Sequence, residues 1–179
     1  MTPEERALLL SIARGAVEAA VRGSRPPPPA GLTPALREKG AAFVTLRVDG
    51  ELRGCIGHVH AHVPLWRSVE ETAGAAAGRD ERFAPLALDE LPRLAIGISV
   101  LSPLRRAKPE EVEIGVHGLH IRRGSASGLL LPQVAVEWKW DRPTFLRETC
   151  RKAGLPPDAF LDPAAELHVF TAEVFGDAR

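Results

Sequence analysis

The stretch Leu52-Arg53-Gly54-Cys55-Ile56-Gly57 sets one of the chain's two cysteines between glycines and two residues from an arginine. A thiol attacks as its thiolate, and a nearby guanidinium favours that form. On a catalytic reading Cys55 is the nucleophile and Arg53 perturbs the thiol or clamps an anion. Glu137, flanked by apolar residues, then serves as acid or base. A structural assignment of the same residues makes Cys55 a small sheet residue and joins Arg53 to Glu137 in a buried ion pair. On a binding reading, Leu52, Gly54, Ile56, Gly57 and His58 line a smooth strand. That strand receives a peptide, a small anion or a partner enzyme, with Arg53 orienting a carboxylate or phosphate. Glycines beside a thiol leave room for something to approach the backbone. These residues alone leave open whether the site catalyses or binds.

Three other features carry potential chemistry. His58, His60 and His62 alternate just beyond Cys55, and alternating imidazoles are metal donors. No carboxylate or cysteine completes the set locally, so no metal is assigned. A Cys55–His58 dyad needs a bend at Gly57, because strand side chains alternate with period two. Gly124-Ser125-Ala126-Ser127-Gly128 reads as a flexible loop, a lid or a phosphate nest, but it lacks the Lys-Ser/Thr of a P-loop. Cys150 lies on a stripe with Phe145, Leu146 and Thr149 and reads as a small core hydrophobe.

The elements that must position these residues follow from spacing. Thr2-Pro3-Glu4-Glu5 is a capping box ahead of a helix over 3–22, with Gly23 as its stop. Pro26 to Pro29 stiffen a connector over 25–31, and Thr33-Pro34 starts a short helix ending near Gly40. Ala42 to Val48 and Leu52 to Val59 form a hairpin about Asp49-Gly50. A three-residue loop, which sets Val48 opposite Leu52, Leu46 opposite Gly54 and Val44 opposite Ile56, groups the aliphatics on one face and is preferred. In either register Arg53 and Cys55 share a face.

Pro64 opens an Ala-rich helix through about Ala77, and Asp80 to Leu86 is irregular. Leu94 to Leu101 is apolar on both faces and therefore central. Strands are expected at Leu119 to Arg122, at Leu129 to Pro132 and at Leu167 to Phe175, with a helix capped by Asp141 and stopped by Gly154.

Composition bounds the function. The chain has 179 residues, enough for one domain spanning 1–179 with its α+β body over 33–176. Lys+Arg and Asp+Glu both total 23, so no basic face for nucleic acid and no acidic tail is expected. Glu4, Glu5 and Arg6 argue against a signal peptide, and no run reaches the ~18 apolar residues of a membrane span. With two cysteines, too few for a disulfide framework, the expectation is a cytoplasmic protein away from membranes.

The Leu-Arg-Gly-Cys-Ile-Gly motif resembles that of the AMMECR-one family, in the manner of its compact prokaryotic members. The likeness continues at Phe43-Val44-Thr45-Leu46, Asp80-Glu81-Arg82-Phe83, Gly128 to Ala135, Glu137-Trp138 and Thr149 to Leu155. The resemblance implies an α+β fold, a mainly antiparallel sheet flanked by helices with a smaller second lobe packed against it. It implies no cofactor and no defined reaction. Prokaryotic relatives are often encoded or fused with a radical-SAM enzyme and a Memo-type protein, which makes those two the implied partners in a shared modification system. A homodimer is compatible with it. Ala84 departs from the family's usual proline, and the His58/His60/His62 run is not part of its pattern.

Overall fold

The structure, a computed structural model, describes residues 1–177. It has the α+β class, with helices and antiparallel sheets, and divides into two compact units. The first comprises Met1–Val100 together with the chain from Glu173 onward; the second is Leu101–Ala172.

In the first unit, helix α1 (Pro3–Arg22) begins at the Thr2/Glu5 capping box and ends at Gly23, whose φ of 64° closes the left-handed C-cap. Thr33 caps the single turn α2 (Pro34–Arg37). Strands β1 (Ala41–Val48) and β2 (Glu51–Gly57) form the expected hairpin, followed by α3 (Leu65–Gly78), β3 (Leu94–Leu101) and β8 (Ala172–Gly176). The sheet order is β2-β1-β3-β8, so Leu94–Leu101 is interior as its two-sided apolar pattern requires, and β2 is an edge. Leu9 and Val17 of α1, Val69 and Ala73 of α3, and Val44, Leu46, Ile96 and Ile98 of the sheet make one buried core. Ala-rich α3 approaches α1 closely: a Cβ on Gly74 would lie 3.7 Å from the Ala16 carbonyl.

The second unit holds β4 (Arg105–Arg106), β5 (Gly118–Arg123), β6 (Ala126–Leu130), α4 (Pro132–Glu137), α5 (Arg142–Lys152) and β7 (Glu166–Phe170). Its sheet runs β4-β7-β5-β6, and Leu119, Ile121 and Val169 pack with Phe145, Leu146 and the fully buried Cys150. Burial pushes the Cys150 thiol pKa up.

Three expectations need correction. The Asp49-Gly50 turn has two residues, not three: both have positive φ, and Val48 pairs with Glu51. The preferred pairs Leu46–Gly54 and Val44–Ile56 nevertheless form, because Arg47 pairs with Leu52 and Arg53 bulges out unpaired between them. Gly124 to Gly128 is not a flexible loop: Gly124-Ser125 is a tight turn and the strand is Ala126–Leu130, so Leu131 and Pro132, expected in it, are instead the N-cap and first residue of α4. The last expected strand is two strands in different sheets, β7 and β8, parted at Thr171. Among the described residues no helix is long and apolar enough to cross a membrane.

Candidate functional site

Cys55 sits in edge strand β2 opposite Thr45. Its backbone N–H donates to Asp80 Oδ2 at 2.8 Å, and its carbonyl accepts from Arg82 Nη2 at 3.1 Å. Both groups therefore face away from β1, which makes Thr45–Cys55 a pair without ladder bonds and brings its side chains close. The Thr45 hydroxyl donates to Cys55 Sγ at 3.3 Å accordingly. Two side chains from the segment after α3 thus do for this edge what a neighbouring strand would do, satisfying polar groups that would otherwise template aggregation.

Asp80 and Arg82 form a fork. Arg82 Nε and Nη2 donate to the two carboxylate oxygens of Asp80 at 2.9 and 2.7 Å, and the Phe83 ring lies 5.4 Å from the guanidinium carbon. The Asp80 side chain is 5% exposed and that of Arg82 57%, so a buried carboxylate anchors a surface cation. The Arg82 bonds, then the Cys55 and Arg82 amides, hold the Asp80 carboxyl far below the usual range despite its desolvation.

Arg53 is placed differently from the sequence expectation. Its Nε and Nη2 clasp Glu90 at 2.6 and 2.9 Å, and its Nη1 reaches the Ala84 carbonyl at 3.3 Å. Hydrogen bonds from Arg53 and then the Ala87 amide hold the Glu90 carboxyl down to about 2. The bulge at Arg53 also interrupts the period-two alternation on which a face shared with Cys55 rested. The partner of Arg53 is Glu90 rather than the expected Glu137. Glu137 ends α4 in the second unit with its side chain exposed, not buried among aliphatics.

The flanking glycines serve packing. A Cβ on Gly54 would stand 2.1 Å from the Ala76 carbonyl oxygen of α3, and one on Gly57 would stand 2.2 Å from the Phe43 ring. What approaches the backbone here is the protein's own helix and aromatic ring. Leu52 pairs with Arg47 past the bulge, and Ile56 packs partly into the core. His58 keeps a ladder bond from its N–H to Ala42, so strand parity carries through it and sets it on the face opposite Cys55. The His60 and His62 rings lie 5.7 Å apart, and among the described residues no three His, Cys, Asp or Glu side chains converge as a metal site.

Sequence reasoning missed Thr45, Asp80, Arg82 and Glu90. The Asp80-Glu81-Arg82 alternation directly after a helix carried a usable signal: a carboxylate and a guanidinium two residues apart outside regular structure can brace one another. Nothing local announced Glu90 as the partner of Arg53.

The profile of the AMMECR1 family matches residues 10–175. A protein of Methanothermobacter thermautotrophicus is 42% identical, covering 98% of this chain and 95% of its own length. A protein of Thermococcus onnurineus is 45% identical, covering 93% of this chain and 87% of its own. The crystal structure of the uncharacterized protein PH0010 from Pyrococcus horikoshii superposes with a TM-score of 0.89 at 40% identity, covering 94% of this chain and 89% of that one. Matched nearly end to end by the family and by relatives of similar length, this chain belongs to the AMMECR1 family.

Proposed function

We propose that this chain is a binding component of a modification system that also contains a Memo-type protein and a radical-SAM enzyme, and that it meets its partner at the β2 edge around Cys55. The observation that carries the binding reading is the pairing of both arginines beside the strand. Arg53 is clasped by Glu90 and Arg82 by Asp80, so the cluster is charge-balanced and supplies little standing field to ionise a thiol. What the edge offers instead is a braced, directional surface. The Thr45 hydroxyl on Cys55 Sγ favours a second reading, in which Cys55 is a nucleophile.

Alkylation by iodoacetamide, followed at each cysteine by peptide mass spectrometry, separates the two. On the binding reading Cys55 reacts no faster than N-acetylcysteinamide from about pH 6 to about pH 9, while Cys150 stays protected as an internal control. A Cys55 rate about tenfold above the free thiol below neutrality would establish the nucleophile. The system assignment is tested by calorimetric titration with the purified Memo-type and radical-SAM proteins of the same organism. Cys55→Ala should retain the affinity and Arg82→Glu should lose it. No heat with either protein sinks the assignment.

A further inference from the structure

Two arginines flank Cys55, but they differ in what they can still bind. Arg53 is 20% exposed and all three of its guanidinium nitrogens are engaged, two on Glu90 and one on the Ala84 carbonyl. Arg82 is 57% exposed, and its bonds to Asp80 and to the Cys55 carbonyl use only Nε and Nη2. Among the described residues Nη1 and its two hydrogens carry no such bond. The anchoring carboxylate is buried beneath the guanidinium, so an anion arriving from solvent meets the cation first. The fork and the Phe83 ring fix the guanidinium in place, which lowers the ordering cost that a free surface arginine incurs on binding. An exposed guanidinium held by a buried carboxylate and by the Cys55 carbonyl, with one amino group left out of those bonds, is a preorganised oxyanion donor.

We infer that Arg82, not Arg53, is the anion-binding group beside Cys55, and that the ligand met at this strand presents an oxyanion, a carboxylate or phosphate oxygen, to Arg82 Nη1. The inference rests on the binding reading in using the same stretch of β2, and it names the chemistry of what binds there. Arg82 Nη2 donates to the Cys55 carbonyl at 3.1 Å, which seats the guanidinium beside that residue.

Cys55 itself reports on the site through paired alkylating agents of similar size. Iodoacetate brings a carboxylate to the sulfur and iodoacetamide does not. Relative to neutral N-acetylcysteinamide at the same pH and salt, Cys55 should favour iodoacetate over iodoacetamide by about twofold, less than a lone cation would give because Asp80 offsets part of the guanidinium's charge. Arg82→Gln should return that ratio to the free-thiol value, while Arg82→Lys keeps part of it. Raising salt from about 0.01 M to about 1 M shortens the screening length from about 30 Å to about 3 Å and should remove the preference in the unaltered protein, where no folding defect can intervene. Acetate or inorganic phosphate should protect Cys55 from iodoacetate, the stronger protector identifying the oxyanion. A wild-type ratio equal to that of the free thiol, or a preference that survives both Arg82→Gln and high salt, overturns the inference. Failure of the binding reading appears instead in the absolute iodoacetamide rate, which the ratio cancels.

Discussion

Replacing Gly54 by alanine tests whether the glycine beside Cys55 serves the fold or a ligand. The added methyl would stand 2.1 Å from the Ala76 carbonyl oxygen and 3.0 Å from its carbon. An ordinary contact needs at least 3.4 Å, so about 1.3 Å of separation must come from moving backbone on backbone. Ala76 lies in the last turn of α3 and is 2% exposed, and the next carbonyl along, that of Ala77, accepts the Leu86 amide. Neither side of the contact yields as a flexible side chain would. Overpacking of this kind costs about 3 kcal/mol, the upper part of its usual range. In a chain of this size that lowers the unfolding midpoint by about 6–12 °C. Gly78, in the same helix, is the control: it is exposed, has open space where a Cβ would sit, and its alanine variant should be neutral or up to about 1 kcal/mol more stable. Thermal and urea unfolding of the two variants beside the parent decide the matter. A Gly54→Ala protein within about 0.5 kcal/mol of the parent would refute the packing argument and return Gly54 to the candidate ligand surface.

Acid should weaken the first unit through its two braced carboxylates. Both have folded pKa values depressed below the unfolded ones, so their stabilisation is complete above about pH 4.5 and is lost as pH falls through the folded values, for Glu90 about 2. Glu90 contributes on the order of 2 kcal/mol, and urea unfolding from pH 5 downward should show a shallower decline in Glu90→Gln and Asp80→Asn than in the parent. A parallel decline in all three would remove these pairs from the account. Lys139 occupies a left-handed position (φ 53°) in the Schellman cap that ends α4, where the Trp140 amide returns to the Ala135 carbonyl at 2.8 Å. Lys139→Gly should therefore raise stability by about 1 kcal/mol in the same unfolding assay, and a loss would show that the side chain contributes more than its backbone strain costs.

Features governed by short-range rules were legible in the sequence. The capping box at Thr2, the stop at Gly23 and the interior placement of Leu94–Leu101 depend on neighbours within a few residues or on simple periodicity. The hairpin was half legible. Asp49-Gly50 announces a two-residue turn while grouping the aliphatics calls for three, and the chain meets both demands by placing the odd residue at Arg53 as a bulge. A bulge leaves no compositional trace when the residue in it is neither Gly nor Pro. The glycines were visible but their reason was not, since nothing in the motif reveals that the Ala76 carbonyl and the Phe43 ring occupy the space they leave.

The partner of Arg53 shows why the charges of such a site resist reading. Glu90 lies 37 positions beyond Arg53, and the chain offers 23 acidic residues among which periodicity draws no distinction. Glu137 was attractive because its neighbours are apolar, but apolar neighbours in sequence bury a side chain only when its own face of the element turns inward. At the end of the six-residue α4 it turns outward. Glu90 has the opposite history. It sits in the short helical turn Leu88–Arg93 that leads into β3, accepts the Ala87 amide there, and is carried by that turn to the β2 bulge. The bulge and the turn are each irregular, and each makes sense through the other: one frees a guanidinium from the strand alternation and the other delivers its carboxylate. Both arginines are thus paired, but the Arg53 bonds take all three guanidinium nitrogens, whereas Arg82, whose own carboxylate lies only two residues away, commits Nε and Nη2 alone.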